Sequence, residues 1–164
     1  MADLADFKEN NYMILRQMVR EEFTIYRQIV ITEYAKDLAE SRKCSLEEAL
    51  VRATKLIDSK LSNGTDTPSN RLNVMAAGES DTVFGYLWLT VSEKTAWVYD
   101  IYIHPEWRGK GYGHAALDEM NGKLFLEGIV EIGLRVAENN GRAKKLYEKL
   151  GFEVSGFNLS KRLS

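Results

Sequence analysis

The stretch that decides the fold is Asp100-Ile-Tyr-Ile-His-Pro-Glu-Trp-Arg-Gly-Lys-Gly-Tyr-Gly-His-Ala-Ala116. An apolar segment typical of a strand leads into a turn at Pro105, and Arg108–Gly113 then opens a helical pattern. Closely spaced glycines let the backbone bend so that successive N–H groups converge, and a helix N-terminus adds a partial positive charge. Together with the charges of Arg108 and Lys110, these groups favour a ligand that carries phosphates.

Three interpretations of this stretch remain open on the residues alone. The first is a glycine-rich turn with solvated basic side chains. The second is a dinucleotide fold, because Gly111-x-Gly113-x-x-Ala116 fits the loose G-x-G-x-x-G/A pattern. That fold needs an acid at the end of the next strand, whereas Glu131 begins its strand and little chain remains for repeated βαβ units. The third is acyl-CoA binding. A P-loop of the form G-x-x-x-x-G-K-[ST] is absent from the sequence.

Hydrophobic periodicity predicts a strand and two helices before the central strands. Tyr12–Gln17 is expected to be a short first strand. Apolar residues then recur every three to four positions from Phe23 to Leu38, as on an amphipathic helix. Ser45-Leu-Glu-Glu48 is a capping box that opens a second helix ending near Asn63.

The rest of the chain predicts a mixed sheet. The expected strands are Arg71–Ala77, Thr82–Ser92, Thr95–Ile103 and Glu131–Val136, with helices over Gly111–Glu127 and up to Leu150, and a final strand or pair of strands in Phe152–Leu163. The order β-α-α-β-β-β-α-β-α-β(-β) predicts an α/β fold (α+β, mixed sheet). About six to seven strands form a central twisted sheet flanked by four helices.

The composition predicts a single globular domain over residues 1–164. Hydrophobic residues make up 45% and charged residues 28% of the chain, and the net charge is −2. That charge indicates neither nucleic acid nor a membrane as a partner. No apolar run reaches the ~20 residues needed to span a bilayer, and the first residues lack the features of a secretory signal. We therefore expect a cytoplasmic protein.

Cysteine and histidine are too sparse to suggest their usual chemistry. The single Cys44 has no evident histidine partner, so we expect a structural thiol rather than a nucleophile. His104 and His114 do not have metal-ligand spacing, so we expect no metal site.

Two motifs carry a family resemblance. Arg108-x-x-Gly111-x-Gly113 is similar to the R/Q-x-x-G-x-G/A motif of the GNAT superfamily of N-acetyltransferases. Asn140-Gly-Arg-Ala-Lys-Lys-Leu-Tyr-Glu-Lys-Leu-Gly-Phe152 resembles the second signature of that family, N-x-x-A-x-x-L-Y-x-x-x-G-F. The motifs cover Val98–Phe152, and the order of elements resembles the family over nearly the whole chain. The resemblance implies a GNAT-like fold that binds acetyl-CoA and transfers its acetyl group to a primary amine.

The resemblance also assigns residues to acetyl-CoA. Backbone N–H groups of the glycine loop would hold the pyrophosphate, and the pantetheine arm would lie in a gap where the strand ending at Ile103 splays from Glu131–Val136. Gly133 would permit close backbone approach there, or serve only for packing. The residues assigned to this cosubstrate are Ile101, Tyr102, Ile103, Arg108, Gly109, Lys110, Gly111, Tyr112, Gly113, Asn140 and Ala143. Asn140 is also a good helix N-cap.

Two residues are candidates for catalysis. Tyr147 matches the family tyrosine that would protonate the departing thiolate. Asp100 is the candidate base that takes a proton from the amine, directly or through water. An acidic residue within an apolar strand is unusual, which favours a functional role for it. Glu138 is the reserve candidate. The alternative interpretation is structural for both residues: Tyr147 is then a core tyrosine, and Asp100 forms a salt bridge at a strand edge.

The last segment departs from the family pattern. Many relatives carry a loop between their final two strands that helps to cover the acceptor, and Glu153–Arg162 leaves little room for one. The acceptor, a small-molecule or protein amine, is therefore not identified. A non-catalytic acyl-CoA-binding module on the same fold is the alternative function. An exposed final strand would offer an edge for a homodimer.

Overall fold

The computed structural model describes residues 12–137, 140–161 and 163, which form two compact units divided after Leu134. The described strands are β1 (Met13–Gln17), β2 (Asn70–Ala77), β3 (Val83–Ser92), β4 (Thr95–Ile103) and β5 (Glu131–Leu134). The described α-helices are α1 (Arg20–Arg42), α2 (Leu46–Lys60), α3 (Tyr112–Leu126) and α4 (Gly141–Lys149), and single 3₁₀ turns occupy Gly64–Asp66 and Pro105–Trp107.

The first unit is built on one mixed sheet in the order β1-β2-β3-β4-β5. The first four strands are antiparallel neighbours, and β5 pairs in parallel with β4. The parallel pair needs a crossover, which α3 supplies. The predicted fold class is confirmed. The described residues form an α/β fold with one mixed sheet and four α-helices.

Helices α1 and α2 cover one face of the sheet. Alternate residues of β2 and β3, such as Val74, Tyr86 and Trp88, pack with the buried stripe of α1, which includes Tyr26 and Val30. Each large apolar side chain buried in this way contributes roughly 1.5–3 kcal/mol. Cys44 packs half-buried against the same cluster.

Helix α3 lies on the opposite face. Its Met120 and Leu124, with Leu15 and Leu87 of the sheet, line a cavity of about 170 Å³. The two faces of the sheet are therefore distinct. Even-numbered residues at the centre of β3 face α1 and α2, and Leu87 faces α3.

The number of strands differs from the prediction. No strand is found in the described residues after α4, Phe152–Lys161 and Leu163, so the described sheet has five strands rather than six to seven. The side chains of Val154, Phe157 and Leu159 are exposed. The alternation of apolar residues predicts which faces a strand would have, but a strand also requires a neighbour that takes its hydrogen bonds. For the same reason β5 ends at Leu134, where its pairing with β4 ends, rather than at Val136.

No helix among the described residues has the length and apolar character that crossing a membrane requires.

Candidate active site

A β-bulge in β4 determines where Asp100 lies. Leu89 of β3 is opposite Val98, and Trp88 is opposite Asp100, so Tyr99 is an extra residue on β4. Regular pairing would have put Asp100 opposite Leu87, which faces the cavity beneath α3. The bulge therefore places Asp100 on the other face, the one covered by α1 and α2.

The side chain of Asp100 is held by a tyrosine from α1. The hydroxyl of Tyr26 donates a hydrogen bond of 2.6 Å to Oδ2 of Asp100. Tyr26 is fully buried, and its ring packs against Tyr86 with 5.1 Å between centroids. Asp100 itself is half-buried. The two residues are 74 positions apart, so this contact ties α1 to the centre of β4.

Burial and like charges shift the acidity of Asp100. Burial raises the pKa of Asp100 from 3.8 to about 6, the hydrogen bond from Tyr26 opposes this shift, and the carboxylates of Glu33 and Asp37 add to it. The pKa of Tyr26 is raised well above its ordinary value, first by burial, so its hydroxyl remains a donor. A carboxylate with a pKa near 6 is mostly ionised at neutral pH and is still basic enough to accept a proton.

The edge of β4 that faces β5 is only partly used. The pairing covers four positions and ends at Val98 and Leu134, whereas β4 continues to Ile103. Beyond Val98, no described strand pairs with this edge. Ile101, Tyr102 and Ile103, all half-buried, lie on this stretch. Apart from the carbonyl oxygen of Ile103, which accepts from the side chain of Arg108, this edge is open to a ligand that can pair like a strand.

The loop after β4 presents unused backbone donors. Gly109 and Gly111 have φ values of 73° and 86°, a region that glycine adopts without strain, and Gly111 is the N-cap of α3 with no side-chain cap. The N–H groups of Gly109, Lys110, Gly111 and Gly113 donate to no acceptor in the described residues. The N–H of Arg108 donates to the carbonyl oxygen of Pro105 at 3.3 Å.

Aromatic rings support this loop. Tyr112 stacks on Phe84 at 4.3 Å, and Trp107 meets Tyr112 edge to face at 5.9 Å. The Nε of Arg108 donates to the carbonyl oxygen of Ile103 at 2.8 Å, and Lys110 lies 4.9 Å from the centre of the Trp107 ring. Both cations remain exposed beside the unused N–H groups, so the loop combines neutral donors with two positive charges.

The remaining predicted residues lie in the second unit. Asn140 is the N-cap of α4, and its Oδ1 accepts a hydrogen bond of 3.2 Å from the N–H of Ala143, which confirms the predicted cap. Tyr147 lies half-buried on α4, with its ring 5.8 Å from that of Phe152. The reserve candidate, Glu138, lies outside the described residues.

Some features of the site were not evident from the sequence. The periodicity of α1 identifies Tyr26 only as one member of a buried stripe. The available signal was that a tyrosine in a core needs a partner for its hydroxyl.

Gly133 has a packing role, since a Cβ there would come within 2.6 Å of the Trp97 ring. Among the described residues, no group of three or more His, Cys, Asp or Glu side chains is arranged to hold a metal ion.

Comparisons with known proteins agree with this architecture. Residues 31–152 match the model of the Acetyltransferase (GNAT) family. The chain is 30% identical over 155 residues to the uncharacterized N-acetyltransferase YycN of Bacillus subtilis (strain 168), covering 92% of this chain and 99% of YycN. It is 26% identical to the uncharacterized N-acetyltransferase YdgE of the same organism, covering 91% of this chain and 97% of YdgE.

The crystal structure of YycN from Bacillus subtilis also resembles this fold. The TM-score is 0.84 at 29% identity, and the match covers 93% of this chain and 99% of that one. The family model spans well over half of the chain, so the chain belongs to the GNAT acetyltransferase family.

Proposed function

We propose that this protein transfers the acetyl group of acetyl-CoA to a primary amine, by direct attack of the amine on the thioester. The observation that carries the proposal is the set of unused N–H groups between Gly109 and Gly113, next to the positive charges of Arg108 and Lys110. Converging N–H groups at a helix N-terminus fit a pyrophosphate. The unpaired edge of β4 fits the amide groups of the pantetheine arm.

Asp100 is the proposed base. An amine attacks only after it loses a proton, and a half-buried carboxylate with a pKa of about 6 can accept that proton directly or through water. Its position supports this role, because Asp100 lies near the start of the unpaired stretch of β4 that would hold the arm. The nearby carboxylates of Glu33 and Asp37 favour an acceptor, small molecule or protein, that arrives as a cation.

Tyr147 is the proposed acid. As the new C–N bond forms and the C–S bond breaks, the CoA sulfur leaves as a thiolate. A phenol with a reference pKa of about 10 can donate a proton to a thiolate of similar basicity. The family resemblance assigns this donor to Tyr147 of α4. No covalent enzyme intermediate is required, so no nucleophilic cysteine is needed.

The first test is calorimetric titration with acetyl-CoA, NAD and ATP in parallel. We expect saturable binding of acetyl-CoA alone. If NAD binds and acetyl-CoA does not, the proposal is overturned in favour of a dinucleotide-binding protein. Thiol release is then followed with a panel of primary amines at saturating acetyl-CoA.

Tyr147→Phe separates an enzyme from a binding module. We expect turnover to fall by about 10²-fold or more, the range for loss of a general acid, while the affinity for acetyl-CoA is unchanged. Tyr34→Phe is the matched control, because it removes a hydroxyl from an exposed tyrosine of α1. Acetyl-CoA binding without thiol release for any amine would instead favour the non-catalytic module.

A further inference from the structure

We propose that Tyr26 is a positioning residue of the reaction, which holds the carboxylate of Asp100 through Oδ2 so that Oδ1 is left for the acceptor amine. The inference rests on the proposed function, in which Asp100 is the base. It assigns a role to a residue on a different element, α1, that is fully buried and does not itself meet the substrate.

The geometry of the contact supports a fixed carboxylate. Tyr26 is 0% exposed, and its hydroxyl has one proton to donate, which goes to Oδ2 of Asp100 at 2.6 Å. This is the short length of a hydrogen bond to a charged acceptor. No described residue donates a hydrogen bond to Oδ1 of Asp100. One oxygen is therefore occupied by the protein, and the other remains for a substrate or water.

The backbone at this position gives Asp100 a specific need for such support. It is opposite Trp88 but lies directly beside the bulged residue Tyr99, where the regular pleat is interrupted on one side. Tyr99 is tied separately, stacked on Trp88 at 4.9 Å with Lys60 of α2 over its ring. The hydroxyl of Tyr26 is thus the described side-chain contact that fixes the direction of the carboxylate. A catalytic group must be held to within a fraction of an ångström to act efficiently.

The charges around Asp100 give the same contact a second effect. Glu33 and Asp37 face it from α1 and disfavour its ionised form, as does burial, and Lys60 of α2 lies over the neighbouring Tyr99. Tyr26 acts in the opposite direction, because a donor to a carboxylate favours the charged form. Removal of the hydroxyl should raise the pKa of Asp100 and so raise the pH at which the base becomes available.

The test uses two substitutions of opposite sign in the full-length protein. Tyr26→Phe keeps the ring that packs on Tyr86 and removes the donor. We expect the acidic limb of the pH profile of kcat/KM to move up by about one pH unit, the size expected when a hydrogen bond to a charged group is lost. Tyr26→3-fluorotyrosine makes the hydroxyl a stronger donor with almost no change in size, so the limb should move down.

A direct titration makes the test independent of activity. The side-chain carboxyl carbon of Asp100 is followed by NMR from pH 4 to 8, with the resonance assigned by its absence in Asp100→Asn. Tyr86→Phe is the matched control. It removes a hydroxyl from the other ring of the same buried aromatic pair, and the hydroxyl of Tyr86 makes no hydrogen bond to Asp100. We expect the Asp100 titration to move in both Tyr26 variants and to stay in place in Tyr86→Phe.

The outcomes separate the two proposals. An Asp100 titration that is unmoved by both Tyr26 variants, or moved equally by Tyr86→Phe, overturns the role of Tyr26. A titration that moves while the pH profile of kcat/KM stays fixed also overturns it, because Asp100 would then not limit the reaction. Absence of thiol release from the wild-type protein with every amine overturns the proposed function instead. The NMR titration does not require activity, so it still shows in that case whether Tyr26 controls the pKa of Asp100.

Discussion

The acidity of Asp100 results from influences of opposite sign. Burial, Glu33 and Asp37 favour the protonated form, and the hydroxyl of Tyr26 favours the ionised form. The first group prevails, and the pKa rises from 3.8 to about 6. A chemically useful carboxylate is thus obtained at a thermodynamic cost, since the folded state must hold a charge that it disfavours.

This cost predicts how stability depends on pH. Because the folded-state pKa of Asp100 lies above its unfolded value, its contribution to stability is fully present below about pH 4 and is lost as the pH rises through about 6. The free energy of unfolding of the wild type, minus that of Asp100→Asn, should fall by roughly 3 kcal/mol over this window. Urea unfolding of both proteins at pH 4, 5, 6 and 7 measures the difference. Parallel pH curves for the two proteins would contradict the prediction.

Strands β3 and β4 approach each other so closely at Gly85 that this position has no room for a side chain. This glycine lies opposite Ile103, and a Cβ at the position would clash with the carbonyl oxygen of Tyr102. The clash is with backbone, which cannot move aside as the end of a flexible side chain can. The same stretch of β4 is the proposed partner of the pantetheine arm, so pairing and binding depend on one geometry.

We therefore expect Gly85→Ala to lower the free energy of unfolding by about 2–4 kcal/mol and to weaken acetyl-CoA binding. Gly122→Ala is the matched control. Gly122 lies inside α3, where a Cβ would meet nothing within 4 Å, and should stabilise the protein by about 0.5–1 kcal/mol through helix propensity. Chemical unfolding and calorimetry measure both effects. Equal stability of the two variants would show that β3 and β4 do not approach this closely.

Periodicity explains which elements could be predicted from the sequence. The predicted strand Thr95–Ile103 coincides with β4, and the predicted helix Gly111–Glu127 differs from α3 by one residue at each end. Local spacing determines such elements. The predicted final strand in Phe152–Leu163 is not found among the described residues of that segment, because strand formation depends on a partner, which local pattern does not specify. The hydrogen bond between Tyr26 and Asp100 was also beyond reach, since it joins residues 74 positions apart.

At the scale of the whole molecule, ligand binding and folding are linked. The net charge of −2 and pI of about 5.8 give no general attraction for an anion. The proposed binding of acetyl-CoA would therefore depend on the local donors of the glycine loop and its two exposed cations. A ligand that binds only the folded state stabilises it as its concentration rises.

Acetyl-CoA at 100 times its Kd should thus stabilise the protein by about 2.7 kcal/mol, seen as a rise in the thermal midpoint. Replacing both Arg108 and Lys110 with Ala should reduce this rise and its dependence on salt, because exposed charges are screened. Acetyl-pantetheine, which lacks the pyrophosphate, should bind equally well to both proteins. Arg52→Ala, which removes an exposed cation from α2, serves as the control. A midpoint rise that is unchanged in the double variant would place the phosphates elsewhere.

The bulge at Tyr99 has a consequence for how this site can change over generations. The bulge compensates for one extra residue in β4, so that Asp100 still lies opposite Trp88. A three-nucleotide deletion of the Tyr99 codon would restore regular pairing after Val98 and leave the aspartate opposite Trp88, on the face covered by α1 and α2. Loss of the bulge with Tyr99 retained would instead carry the aspartate opposite Leu87, on the face covered by α3. A one-residue alignment gap at Tyr99 is therefore compatible with the same placement of this acid.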